Sequence, residues 1–148
     1  MGTYEEILET FKEKIKTVSV VEIADIPKID LYMDQVTTFM DQALAPYKRL
    51  SDGKVLTKTM INNYTKAKVL PPPIKKKYGR THIMLLIMIF HLKSVLSIKD
   101  IATLFQPIFA LPTKEDAEKQ TEKIYAGFIY LQKATLTYMQ ASAEGIID

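Results

Sequence analysis

The sequence predicts an all-α protein with little or no β structure beyond one short wing. Apolar residues recur at helical spacing in several segments of the 148-residue chain, these segments start at capping residues, and prolines or glycines separate them. A chain of this length is expected to fold as a single domain, residues 1–148. Cysteine is absent, which excludes disulfides, thiolate metal sites and a cysteine nucleophile.

Two helices are predicted in the N-terminal third. Tyr4 to Thr17 carries Ile7, Leu8, Phe11 and Ile15 on one face and charged residues on the rest. A connector then reaches residue 30, and Pro27 ends any helix before it. Asp30 is a suitable N-cap for a second helix, which the apolar spacing extends from Leu31 to Leu44.

A short third helix, Lys58 to Lys66, is predicted after the N-cap residue Thr57. Its buried face would consist of Met60, Ile61 and Tyr64. Polar residues that can hydrogen-bond base edges or phosphates occupy the outward positions, namely Lys58, Thr59, Asn62, Asn63 and Lys66. A purely structural helix does not require this selection of residues, although nothing forbids it.

A proline run and a basic stretch follow. Pro71 to Pro73 predicts an extended segment, and Lys75, Lys76, Lys77, Tyr78 and Arg80 lie just beyond it. Thr81 is expected to cap the most apolar helix, through about Val95, and Ser97 to cap the next one, through about Phe105. Pro107 and Pro112 should then bracket a connector.

A long last helix is expected to begin after Thr113, to continue to about Ala143 and to stop near Gly145. Its apolar stripe is wider than the seam of a two-stranded coiled coil. One interpretation is a homodimer through Ile124, Phe128, Leu131 and Tyr138. The other is a helix that packs entirely within its own chain, and the sequence does not separate the two.

Charge is concentrated in one part of the chain. Residues 48–80 hold ten Lys or Arg and a single acid, Asp52, so their net charge is +9, whereas the whole chain is only +3. Such a concentration of positive charge is typical of a phosphate-binding surface. A solvated basic surface without a partner is the alternative.

Enzymatic and metal chemistry find no support in the sequence. The two histidines, His82 and His91, are too far apart and too few for a metal site, and His91 is better explained as a core residue. Glycine-rich phosphate loops and catalytic triads are lacking. We therefore expect no enzyme activity, no metal and no cofactor. With no secretory signal, and with the apolar run Ile83–Leu92 too short to span a bilayer, a cytoplasmic location is expected.

The strings around LYMDQ (31–35) and LTKTMINNYTK (56–66) are long and unusual. On these strings the chain is identified as a member of the bacterial domain-of-unknown-function family 1836. Asn63-Tyr64, Val69-Leu70-Pro71-Pro72 and Leu96 to Ile101 also resemble the "YY…GLLPP" and "FSLEEI" patterns of MerR-type transcriptional regulators. An insertion, Ala45 to Leu56, stands where MerR proteins have a tight turn.

The resemblance implies a winged helix-turn-helix core at 31–109 and a dimerisation or packing helix at 113–148. It implies that Lys58, Thr59, Asn62, Asn63 and Lys66 enter the major groove of double-stranded DNA. It also implies that Lys75, Lys76, Lys77, Tyr78 and Arg80 form a wing on the phosphate backbone. The expected function is transcriptional regulation by a DNA-binding homodimer, and the alternative is a helical protein-interaction module that binds an acidic partner.

Overall fold

The computed structural model describes residues 2–48 and 53–147. Within them lie six α-helices and one two-stranded sheet, so the all-α prediction is confirmed. The elements are α1 (Thr3–Thr17), β1 (Leu31–Tyr32), α2 (Met33–Ala43), α3 (Lys58–Lys66), β2 (Lys77–Tyr78), α4 (Arg80–Leu92), α5 (Ile98–Phe109) and α6 (Lys114–Ile147).

The centre of the fold is α4, in which every residue from 82 to 89 is buried. The helix that is most apolar in the sequence is therefore enclosed on nearly all sides. The N-terminal half of α6 packs across it through Thr121, Tyr125 and Ile129. The Tyr125 hydroxyl, fully buried, donates a hydrogen bond to the carbonyl of Val21 at 2.7 Å, which fastens the N-terminal connector to α6.

The loop between α2 and α3 is anchored at both of its described ends by Asp41. The Asp41 carboxylate accepts hydrogen bonds from Lys48 Nζ at 3.0 Å and from the Val55 backbone N–H at 3.1 Å. Both bonds hold the pKa of Asp41 below its usual range, and the bond from Lys48 has the larger effect. Leu44 and Leu56 are fully buried on either side. The predicted insertion, 45–56, therefore leaves and re-enters the core at fixed points, while residues 49–52 lie outside the described residues.

The second helix begins later than predicted. Leu31 and Tyr32 form a strand that pairs antiparallel with β2, Leu31 opposite Tyr78 and Tyr32 opposite Lys77. The Gln35 side chain then accepts the Tyr32 backbone N–H at 2.8 Å, and α2 starts at Met33. The prediction of Asp30 as the N-cap was wrong, because pairing with a distant strand holds Leu31 and Tyr32 in extended conformation.

Three other boundaries also differ from the prediction. Helix α4 starts at Arg80, capped by Gly79 rather than Thr81, and ends at Leu92. Helix α5 passes through Pro107 to Phe109, because buried Ile108 holds its last turn against the core. Helix α6 passes through Gly145 to Ile147. Proline and glycine lower helix stability without forbidding a helix.

Helix α1 packs on the C-terminal half of α6. The two helices are antiparallel, since Lys12 lies beside Glu144 and the Gln140 amide donates to the carbonyl of Ile15. None of the α1 residues is buried. Tyr4, Ile7 and Phe11 are about half to three-quarters exposed, and so are Leu131 and Tyr138 on α6. We call these two helices the α1–α6 pair.

Candidate nucleic-acid interface

The predicted polar face of α3 is present in the structure. Thr57 caps the helix by accepting the Met60 N–H at 3.2 Å, and Ile61 and Tyr64 are buried. Met60, expected to be buried, is only half-buried. All five side chains predicted to point outward are exposed, namely Lys58, Thr59, Asn62, Asn63 and Lys66. Positions 59, 62, 63 and 66 recur at helical spacing, so they share one side of the helix.

The C-terminal end of α3 places one more lysine on the surface. The Val69 N–H donates to the Tyr64 carbonyl at 3.0 Å and the Lys68 N–H to the Thr65 carbonyl at 3.1 Å. This is the Schellman pattern, in which the residue after the C-cap is left-handed and usually glycine. Here that residue is Lys68, exposed and with a φ of 62°. Sequence reasoning missed Lys68, because a lysine carries no signal for a left-handed conformation.

A tight hairpin turn, Ile74–Lys77, follows the prolines. Ile74 and Lys77 exchange two backbone hydrogen bonds, each of 3.0 Å. The two central residues, Lys75 and Lys76, have φ angles of 53° and 66°. Two left-handed residues in a two-residue loop are typical of a type I′ turn, where Asn-Gly is the favoured pair. The turn exposes both lysine side chains.

The other three residues of the predicted wing have contacts within the protein. The Lys77 ammonium lies 5.1 Å from the centre of the exposed Tyr32 ring. Arg80 donates to the carbonyls of Ile26 and Ile23 at 3.0 and 3.3 Å, which ties the start of α4 to the connector.

The prediction that Tyr78 contacts phosphates was wrong, because this side chain is buried. It is only 3% exposed, because side chains alternate along a strand and its neighbour Lys77 takes the outer side. A side chain enclosed in this way packs in the core and has no surface to offer a nucleic acid. Of the predicted wing, Lys75 and Lys76 alone are exposed and make no such contact with the described residues.

The lysines of this surface are not neutralised by acids. We define the basic face as Lys58, Lys66, Lys68, Lys75 and Lys76. All five are exposed, and no acid among residues 2–48 and 53–147 lies within 4.0 Å of any of them. Asn62 and Asn63 likewise make no side-chain hydrogen bond with the described part of the chain. The donors and acceptors needed for an external ligand are therefore available.

The residues predicted for a dimer interface fall into two groups. Ile124 and Phe128 are half-buried and pack against the core of their own chain. Leu131 and Tyr138 are 65% and 74% exposed on the second half of α6. Of the four predicted interface residues, only the two after residue 130 are exposed and available to a second copy of the chain.

His82 is buried, whereas His91, expected to be a core residue, is only half-buried. The His82 ring accepts the Gly79 N–H at Nδ1 (3.0 Å) and donates from Nε2 to the Pro72 carbonyl (3.2 Å), so it links the turn region to α4. Burial lowers its pKa. His91 lies among Tyr47, Phe90 and Phe128, and burial lowers its pKa to about 4. In the described ranges no group of three His, Asp or Glu could hold a metal ion.

Comparison with known proteins gives one match. No curated protein and no solved structure matches the chain. Of the helices that the structure describes, none is both long and apolar enough to cross a membrane. The family model for a domain of unknown function, DUF1836, matches residues 21–128, which run from the connector through the first half of α6. The chain therefore belongs to the DUF1836 family.

Proposed function

We propose that this protein is a DNA-binding transcriptional regulator of MerR-like type that inserts α3 into the major groove of a duplex. The observation that carries the proposal is the exposed polar face of α3, whose asparagines have no partner in the described residues and whose lysines have no described acid nearby. Asparagine, like glutamine, can form two hydrogen bonds with adenine, and lysine binds guanine or phosphate. Direct recognition of base edges needs such groups on one helix face.

The dimensions of α3 suit this role. An α-helix with its side chains is about 10–12 Å in diameter and fits the roughly 12 Å width of the major groove. The nine residues of α3 place about 13 Å of helix in it. The hairpin turn with Lys75 and Lys76 follows α3 after a short extended segment. In the proposed complex these two lysines bind backbone phosphates, which position the protein without reading sequence.

Duplex binding with a strong salt dependence is the first test. If the five lysines of the basic face each displace a counterion, the log–log plot of affinity against salt has a slope of roughly −4 to −5. Electrophoretic retardation and fluorescence anisotropy with mixed-sequence duplex DNA measure it. A protein that binds no duplex at low salt contradicts the proposal. Selection of bound genomic fragments would then identify the site.

Sequence preference is the second test. Replacing Asn62 and Asn63 by Ala should lower the discrimination between the selected site and mixed-sequence DNA by about 1–3 kcal/mol for each base that is no longer recognised. Nonspecific affinity should change little, because the phosphates are still bound. The matched control is Thr103→Ala on α5, an exposed polar position away from α3. If that control relaxes sequence preference equally, α3 does not read bases.

We also propose that the protein acts as a homodimer through the α1–α6 pair. Leu131 and Tyr138, together with Tyr4, Ile7 and Phe11, leave an apolar surface on both helices, and a two-fold pairing would bury it as a four-helix arrangement. Changing Leu131 and Tyr138 to Glu should convert the dimer to the 16.9 kDa monomer in sedimentation equilibrium. Val95→Glu, at a 77% exposed apolar position on another surface, should leave the mass unchanged.

A protein-interaction module is the second candidate, favoured by the lack of any paired acid around the basic face among the described residues. In that case the natural ligand is an acidic protein surface. Poly-glutamate separates the two functions. A regulator binds the selected duplex far more tightly than poly-glutamate of equal charge, whereas an interaction module shows no such preference.

A further inference from the structure

All three non-glycine residues with positive φ in the described part of the chain are lysines, namely Lys68, Lys75 and Lys76. No described glycine has a positive φ. Lys and Arg together account for 20 of 148 residues, so composition alone does not predict lysine at every one of these positions. They lie at two separate sites. At the end of α3 the Schellman pattern requires the left-handed conformation, and at residues 75 and 76 the two-residue hairpin turn requires it.

These positions carry backbone strain. In the left-handed region the Cβ atom of an L-residue approaches a carbonyl oxygen, and only glycine escapes this contact. Asparagine and aspartate tolerate the conformation because their short polar side chains hydrogen-bond the local backbone. Lysine has no such compensation. The side chains of Lys68, Lys75 and Lys76 are exposed, and none makes an ion pair with a described acid.

We propose that Lys68, Lys75 and Lys76 form one phosphate-binding set, in which the strained backbone is retained because the ammonium groups bind the duplex backbone. The proposal rests on the DNA-binding function proposed above and adds Lys68 to the surface. Seven residue steps separate Lys68 from Lys75, so the two lie at most about 25 Å apart. A duplex carries one charge per about 1.7 Å of its axis, so a span of this size along the duplex contains several phosphates.

If the three lysines bind phosphates at the cost of backbone strain, replacing them by Gly should raise stability and lower DNA affinity. Replacing each lysine by Gly removes the strain and the charge, so the melting temperature should rise by about 1–4 °C per site while affinity for duplex DNA falls. Replacement by Gln removes only the charge, so affinity should fall equally at an unchanged melting temperature. Replacement by Arg should keep both wild-type values.

The test measures melting temperature and the salt slope of binding to mixed-sequence duplex DNA for the Gly, Gln and Arg variants. The slope should become less steep by about 0.9 units per lysine removed. Lys123→Gln, which removes an exposed charge from helical backbone in α6, is the matched control and should keep the wild-type slope.

Three outcomes would overturn the inference. One is a wild-type slope in the Lys68→Gln or Lys75→Gln/Lys76→Gln variants. Another is a Gly variant no more stable than its Gln counterpart, since the lysines would then carry no strain. The third is an equal decrease of slope with Lys123→Gln. Failure of the wild-type protein to bind any duplex is a different result, which removes the proposed function itself.

Discussion

Two groups of lysines in this protein have opposite surroundings. On the α1–α6 pair, Lys12, Lys16 and Lys119 each lie within 4.0 Å of a glutamate, as does Lys133 beside Glu22. The lysines of the basic face have no acid at that distance in the described ranges. These lysines of the α1–α6 pair therefore lie beside acids, whereas those of the basic face do not. The position of the acids, more than the number of lysines, determines where a polyanion can bind.

The two regions also differ in what the backbone does. The lysines of the α1–α6 pair lie on regular helix, where a long side chain is well accommodated. Three of the five on the basic face occupy left-handed positions. A surface ion pair contributes at most about 1 kcal/mol, so the ion pairs of the α1–α6 pair add little to stability. On the basic face, the hydrogen bonds of the Schellman end of α3 and of the hairpin turn hold the left-handed backbone. The proposed phosphate contacts are what lysine adds at these positions.

The largest expected effect is a difference in duplex binding between charge removal on the basic face and charge removal on the α1–α6 pair. Changing Lys58, Lys66, Lys75 and Lys76 together to Gln should make the salt slope of duplex binding less steep by about 3 to 4 units. The matched variant changes Lys16, Lys119, Lys123 and Lys133 to Gln, which removes the same charge from the α1–α6 pair. It should change the slope by less than about one unit. Equal effects from the two variants would mean that overall charge alone governs binding.

Acidification should have an intermediate effect, because the lysines of both regions stay charged while protonation of His91 in the unfolded chain lowers the stability of the fold. The pKa of His91 is about 4 in the folded protein, against about 6.5 when exposed. Between these values the unfolded chain binds the proton and the folded chain does not. Stability due to His91 is therefore complete above pH 6.5 and falls by roughly 2–3 kcal/mol as the pH drops to 4.

Urea unfolding at several pH values measures this decrease. The His91→Leu variant should show a smaller decrease over the same pH interval, whatever its stability at neutral pH. An unchanged pH dependence in that variant would show that His91 is not desolvated in the folded protein. Any loss of DNA binding near pH 5 should follow unfolding rather than a change at the basic face.

The smallest expected effect concerns the paired region. Glu144→Gln removes the ion pairs of Glu144 with Lys12 at 3.1 Å and Lys16 at 4.0 Å. The free energy of unfolding should decrease by less than about 1 kcal/mol, since the glutamate side chain is 47% exposed. Duplex affinity should remain unchanged. Glu118→Gln, in an i,i+4 pair with Lys114, is the control, and a rise in DNA affinity with Glu144→Gln alone would show that the paired region also touches DNA.

Sequence reasoning located the α3 face because helical period alone decides which residues of a nine-residue amphipathic helix are exposed. It failed for Tyr78, because composition alone does not distinguish a basic surface loop from a strand whose alternate side chains are buried. Strand alternation, with Lys77 out and Tyr78 in, is the signal that would have found the burial. No sequence signal would have found Lys68, because its conformation follows from how the chain leaves α3.

The sequence by itself determined the all-α class, most of the helices and the concentration of positive charge, since these depend on local spacing and composition. The tertiary structure alone decided which basic residues remain available. Arg80 donates a hydrogen bond to the carbonyl of Ile26, 54 residues away in the chain. Leu31 pairs with Tyr78, although α2 and α3 lie between these two residues in the sequence. Long-range contacts of this kind depend on the path of the whole chain through the core, which local patterns do not contain.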